Sequence, residues 1–166
     1  MNIELSEMQP VNADLLANLW QYYQFESSGR EQLDVDSCGR FETPEEVFAK
    51  TLLKENGSIA YLVRCDGNIA GFLLLHAATI EGKPITEFAD IFVLPKYRAG
   101  GVATAVVEKV IVQSDQAWLI AVFRDDLNAQ AFWRSAFERI PFASCREIVP
   151  PELPEFYEFV VNERIA

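Results

Sequence analysis

The stretch Ile91-Phe92-Val93-Leu94-Pro95-Lys96-Tyr97-Arg98-Ala99-Gly100-Gly101-Val102-Ala103-Thr104 limits the possible folds more than any other part of the chain. An apolar run of strand character stops at a proline and passes through a basic, glycine-containing turn. It then enters residues 102–110, which read as a helix. A strand emptying into a helix in this way aims the free N–H groups of the first helical turn, and the positive end of its dipole, at one point. Such a point binds phosphate without requiring any particular side chain. The stretch lacks the Gly-Lys-Ser/Thr of a nucleotide P-loop and the G-x-G-x-x-G of a dinucleotide site. The plain alternative is an ordinary strand-to-helix turn in which Gly100 and Gly101 supply positive φ.

Strand and helix patterns continue on both sides. Ile3, Leu5 and Met8 suggest a short opening strand that Pro10 ends. Asn12 can cap a helix over 13–26, where Leu15, Leu16, Leu19, Trp20 and Tyr23 recur at helical spacing. Polar residues and glycine make 26–41 a loop. Thr43-Pro44-Glu45-Glu46 reads as a helix start with a capping box, followed by Val47, Phe48 and Leu52 as a buried face and Asn56-Gly57 as the stop. Runs at 59–64 and 69–75 flank the hairpin turn Asp66-Gly67-Asn68, and Glu81-Gly82-Lys83-Pro84 turns the chain into the strand ending at Val93. His76, at the far end of the second hairpin strand, is expected to be structural. A helix over 101–114 and an apolar strand over 117–123 follow. Next comes a helix capped by Asp125 or Asp126 and bearing Ala129, Phe132, Trp133 and Phe137. Strands over 141–148 and 155–163 complete the order β-α-α-β-β-β-α-β-α-β-β, which predicts one α/β domain over 1–166 with a helix-covered mixed sheet.

Composition bears on the ligand. With 25 acidic against 14 basic residues, the net charge is −11, the wrong sign for a nucleic-acid or anionic-membrane binder. It favours a cationic partner instead. Lys96 and Arg98, joined by Arg124, concentrate positive charge where a polyanion would dock. Three widely spaced cysteines and one histidine make neither a disulfide framework nor a zinc site. Asp34 and Asp36 lack the glycine and glutamate spacing of a calcium loop, so no metal is expected. No run approaches the ~20 apolar residues of a membrane span. The N-terminus has neither a basic nor a long apolar segment, so the expected location is cytoplasmic.

Val93, Pro95, Arg98, Gly101 and Ala103 fit the pattern V-x-P-x-x-R/Q-x-x-G-x-G/A, and on these residues the chain resembles the GNAT superfamily of acyl-CoA-dependent N-acetyltransferases. The resemblance covers about 45–140 well. It includes Ala129-Gln130-Ala131-Phe132-Trp133, similar to the A-x-x-F-W segment of smaller predicted acetyltransferases. It implies a mixed, mostly antiparallel sheet with helices on both faces and splayed central strands. It also implies that the pyrophosphate of acetyl-CoA rests on the backbone N–H groups of Arg98, Ala99, Gly100, Gly101, Val102, Ala103 and Thr104. The pantetheine would lie along Phe92 and Val93 like an added strand, where a backbone N–H polarises the thioester carbonyl. The implied reaction is direct acetyl transfer to the amine of a small molecule or peptide, by a monomer or homodimer. The acceptor would enter between the first helices and the terminal strands, past Trp20, Tyr22, Tyr23 and the 27–41 loop.

Transfer to an amine needs a base, because an alkyl ammonium has a pKa near 10. Glu87 and Asp90 are the carboxylates on the strand leading to the cradle. Glu87, six residues before Val93, matches the catalytic glutamate of some family members and is the first candidate, with Asp90 second. Simple alternation puts Glu87 on the face of Val93 and Asp90 on the other, unless a bulge intervenes. On the next helix the resemblance places Asp126 where many members have a cofactor-contacting asparagine, with Asn128 close by, and Trp133 where they have a tyrosine that protonates the departing thiolate. That acid is missing. A second reading is therefore a catalytically silent acyl-CoA-binding or partner-binding module of the same fold.

Overall fold

Two tight turns build the centre of the molecule. In the computed structural model, which describes residues 1–164, Asp66 and Gly67 have φ of 49° and 79°, and Glu81 and Gly82 have φ of 50° and 73°. Positive φ at both central residues gives the turn whose twist matches paired antiparallel strands. These turns join β2 (Ile59–Cys65), β3 (Asn68–Ile80) and β4 (Lys83–Val93) into a meander. The short strand β1 (Ile3–Glu7) adds antiparallel to β2 at one edge.

The remaining elements are the helices α1 (Ala13–Glu31), α2 (Glu45–Leu52), α3 (Val102–Val107) and α4 (Leu127–Arg139), and the strands β5 (Trp118–Phe123), β6 (Cys145–Ile148) and β7 (Phe156–Val161). The seven strands lie in the order β1-β2-β3-β4-β5-β7-β6, and only β4 and β5 run parallel. The sheet is thus mixed and mostly antiparallel, with helices on both faces, as the sequence predicts.

Alternation along the strands sends two apolar sets to opposite faces. Leu62, Phe72, Leu74 and Phe92 pack under Leu16 and Leu19 of α1 and Phe48 and Leu52 of α2. Val63, Leu73, Leu75, Phe88 and Val93 pack against Val102, Val106 and Val107 of α3, and against Trp133 and Ala136 of α4. Burying one such large side chain stabilises the fold by about 1.5–3 kcal/mol, so β4, gripped from both sides, has little freedom to move. Gly71 brings β3 against β4 so closely that a Cβ there would lie 1.8 Å from the Phe92 carbonyl oxygen.

Several local expectations are corrected. The first helix does not stop at residue 26. It runs to Glu31 and ends on Gln32 in the left-handed conformation, φ 54°, so 27–31 is helix rather than loop. Ser27 fits inside it because its hydroxyl donates to the Tyr23 carbonyl. Thr43 caps nothing: α2 starts at Glu45 without a side-chain cap, and the Thr43 hydroxyl accepts from Gln21 Nε2 at 3.0 Å. Val47 is 46% exposed, and Thr51 takes its place in the buried set. The helix expected over 101–114 is α-helical only to Val107 and continues as a π-helical turn over Glu108–Val112. Asn162 Nδ2 donates to the Ile111 carbonyl in this turn, at 2.7 Å.

Candidate active site

β4 and β5 are hydrogen-bonded neighbours for only two residues, Thr86 opposite Trp118 and Glu87 opposite Leu119. Beyond Glu87 the strands part. The backbone groups of β4 that would face β5 are left for something else, and a wedge opens toward the turn at 94–101.

A bulge at Ala89 decides what faces the wedge. Leu75 pairs with Phe88 and Leu74 with Asp90, so Ala89 is an extra residue and the alternation resets. Glu87 and Asp90 consequently share the face covered by α1, while Val93 joins Phe88 on the other. Simple alternation is overturned for Glu87, which leaves the face of Val93, and holds for Asp90, which lies opposite Val93. His76, the cross-strand partner of Glu87, lies on the face of the two carboxylates.

These carboxylates differ in environment. Asp90 accepts a hydrogen bond from the Tyr23 hydroxyl at 2.7 Å. Burial raises its carboxyl above the ordinary range, against the opposing effects of that hydrogen bond and of the His76 charge. Burial and the neighbouring Asp90 carboxylate also push the Tyr23 hydroxyl far up, so it remains a donor. Glu87 is raised to about 6, first by burial and then by the charges of Asp90 and Glu158, with no hydrogen bond among the causes. Of the pair, Asp90 is tied down and Glu87 is free to exchange a proton.

The turn after β4 forms the other half of the site. Residues Pro95–Gly100 make a 3-10 turn, and Gly101 (φ 79°) leads into α3 with no side chain capping that end. A Cβ built on Gly101 would meet nothing within 4 Å, and one on Gly100 only Met1 Sδ at 3.9 Å. The cradle is thus open, and the first-turn N–H groups from Val102 to Thr104 lie beyond the reach of any helical acceptor. Its cation is engaged, however. Arg98 donates from Nε to the Val93 carbonyl at 2.7 Å and from Nη2 to Glu26 Oε1 at 2.5 Å.

A family model described as Acetyltransferase (GNAT) family matches residues 16–137, more than half of the chain. The chain belongs to that family. Solved structures similar to this GNAT chain include an acetyltransferase of Thermus thermophilus, with 14% identity, 96% of each chain covered and a TM-score of 0.70. A GNAT acetyltransferase of Staphylococcus aureus Mu50 is 16% identical, with 98% of this chain and 100% of that chain covered, at a TM-score of 0.63. A PaiA N-acetyltransferase of Thermoplasma acidophilum, in complex with coenzyme A, is 13% identical over 96% of this chain and 98% of that one, at a TM-score of 0.59. At such identities these likenesses concern the fold. No curated protein matches the chain.

An open glycine cradle beside an unpaired strand edge fits the extended, polyanionic shape of acyl-CoA. The side chains of Phe92 and Val93 are buried in the two cores, Phe92 pairs with Phe72 on β3, and the Val93 carbonyl accepts from Arg98 Nε, so a ligand could meet only the backbone groups that remain. Asp126 caps α4 by accepting from Ala129 N at 2.9 Å, and Asn128 is exposed on the first turn of that helix. Trp133 is a core residue, edge-on to Phe88 and stacked on Phe137. Arg124 lies away from the cradle, with Nε on the Pro154 and Phe156 carbonyls and its guanidinium over Tyr157. Trp20 packs with Tyr23, Phe48 and Phe72 in the core, whereas Tyr22 is 57% exposed. On the face of Glu87, a groove of about 430 Å³ lined by Ile80, Ile85, Thr86, Ala117 and Val160 runs beside the base of the wedge. Sequence periodicity marked Ile85, Thr86, Ala117 and Val160 only as strand and ended the strand before Ile80 at residue 75; their alignment into a groove follows from strand order and from the extension of β3 to Ile80. Among the described residues, no group of three or more His, Cys, Asp or Glu is set to hold a metal, and no helix is long and apolar enough to cross a membrane.

Proposed function

We propose that this GNAT chain moves the acetyl group of acetyl-CoA directly onto an amine, with Glu87 removing the proton from the acceptor ammonium. The observation that carries the reading is the bulge at Ala89, which puts Glu87 and Asp90 on one face of the sheet beside the place where β4 and β5 part. Acetyl-CoA supplies a carbonyl activated as a thioester. The turn from Arg98 to Thr104, whose unbonded N–H groups are those at the start of α3, holds its pyrophosphate. The edge of β4 that β5 leaves beyond Glu87 aligns its pantetheine arm near Phe92 and Val93, with the Val93 carbonyl already bonded to Arg98.

An acceptor ammonium near pKa 10 gives its proton to a carboxylate only uphill. Each unit of the gap costs about 1.4 kcal/mol, so raising Glu87 from the ordinary 4.5 to about 6 removes about 2 kcal/mol of that climb. Burial raises Glu87 most, and Asp90, fixed by Tyr23, adds to that shift. With Glu158 on the same face, the carboxylates favour a cationic amine at Glu87. Trp133 offers no proton, and none is required. A thiol of pKa about 8.5 leaves tolerably as thiolate near neutral pH.

Calorimetric titration with acetyl-CoA, followed by thiol release over a panel of monoamines, diamines and peptides, tests this reading. Binding and turnover are expected. Glu87→Gln should lower kcat/KM by about 10²–10⁴-fold and remove the acid limb of the pH profile near 6. Binding without turnover on any amine identifies a silent acyl-CoA module instead, and no binding overturns both readings.

A further inference from the structure

Three residues on one face of α1, Tyr23, Glu26 and Arg30, reach across the wedge between β4 and β5. Their spacing of three and four residues aligns them on the helix surface. Tyr23 reaches Asp90 on β4, and Glu26 reaches Arg98 in the turn that follows β4. Arg30 reaches the opposite bank, with Nη1 3.1 Å from Asp125 Oδ1, Nη2 3.7 Å from Asp126 Oδ2, and its guanidinium over the Phe123 ring. Seven residues of helix span about 10 Å. That is roughly twice the ordinary separation of adjacent strands, the width of a wedge that admits one added strand.

The contact of Arg98 is the unexpected one. Its Nε bond to the Val93 carbonyl holds the guanidinium at the cradle, while Nη2 is given to a carboxylate. Glu26 and Arg98 are 38% and 44% exposed, so this pair is wet and can change partners without stranding a buried charge. A phosphate arriving at the cradle meets an arginine already neutralised by Glu26.

We propose that the 23–31 half of α1 is an ionic strap over the wedge, and that Glu26 stands in for the cofactor's phosphate on Arg98 and thereby sets cofactor affinity. When a phosphate oxygen takes Nη2, the Nε anchor stays, Glu26 is released, and the strap is held by Arg30 and Tyr23 alone. Cofactor binding is in this way linked to the freedom of the helix that covers Asp90. The proposal rests on the reading of 98–104 as a phosphate cradle.

Coenzyme A is the probe. Glu26→Gln should tighten its binding about two- to fivefold, the range that an exposed ion pair commands. In an Arg98→Gln background the same change should have no effect. In the free protein, amide exchange over 23–31 should speed up in Glu26→Gln and in Arg30→Gln, with the midpoint of unfolding little changed. Only the first of these should alter affinity for coenzyme A. Unchanged or weaker binding in Glu26→Gln overturns the competition, as does an equal gain in both backgrounds, which would report general charge instead. Unaltered exchange over 23–31 in both variants overturns the strap. If the unmodified protein itself fails to bind coenzyme A, the cradle reading falls with the competition, and the exchange measurement still judges the strap.

Discussion

Glu87 and Asp90, three residues apart, lie on the same face of the sheet because Ala89 is an extra residue between the partners of Leu75 and Leu74. Three steps along a regular strand reverse the face, so without the bulge one carboxylate would lie among Phe88, Trp133 and the α3 side chains. The bulge instead puts Asp90 on Tyr23 and Glu87 opposite His76, on one face, where the parallel pairing of β4 and β5 ends. Four measurements test this pairing, the packing around it and the cradle.

Glu87 lowers stability at neutral pH. Its folded pKa of about 6 exceeds the ordinary 4.5, so between these values the folded protein holds more protons than the unfolded chain, and stability falls as pH rises through that window. Glu87→Gln should therefore gain up to about 2 kcal/mol above pH 7 and nothing at pH 4. Urea midpoints at the two pH values decide the matter. Equal shifts at both would exclude a raised carboxyl.

Tyr23→Phe should move the acid limb of the kcat/KM profile to lower pH. The lost hydrogen bond lets Asp90 take a proton more readily, and its weaker charge no longer raises Glu87 as far. The ring and its packing on Phe72 are retained, so folding should be nearly unaffected. A slower enzyme with an unmoved pH profile would reduce Tyr23 to a packing role.

Gly71→Ala should cost about 3 kcal/mol or more, because its Cβ would stand 1.8 Å from the Phe92 carbonyl oxygen and β3 would have to leave β4. Gly29→Ala, with nothing within 4 Å, should be neutral or add about 0.5–1 kcal/mol to α1. Chemical denaturation of the two variants gives the comparison; similar stabilities would contradict the close approach of the strands.

Gly101→Glu should abolish coenzyme A binding by placing a charge and a side chain in the cradle. Gly101→Ala should retain most of it, since the space is open and only the left-handed backbone, φ 79°, is strained, at about 1–2 kcal/mol. Calorimetry on both separates the effects. Equal loss of binding would assign the glycine to backbone shape alone.

Much of this architecture is local and could be read along the chain. Alternating apolar residues, turn pairs such as Asp66-Gly67, and the passage from Val93 through Pro95 and Gly101 into a helix each act within a few residues. Backbone preference and periodicity reach that far, and they specified the order of elements, the mixed sheet and the cradle. Nothing local marked Ala89 as a bulge, because the register of β4 is settled by how Leu74 and Leu75 seat in two cores at once. Nor did Glu26-Ser27-Ser28-Gly29 read as helix, since serine and glycine are weak helix formers. That turn is held by Glu26 on Arg98 and Arg30 on Asp125, partners 72 and 95 residues away. Sequence alone therefore determined where an open glycine turn into a helix and two carboxylates occur. Tertiary structure decided that the carboxylates share one face of the sheet and that a helix closes over it, because contacts between distant segments outweigh the short-range preferences that a sequence displays.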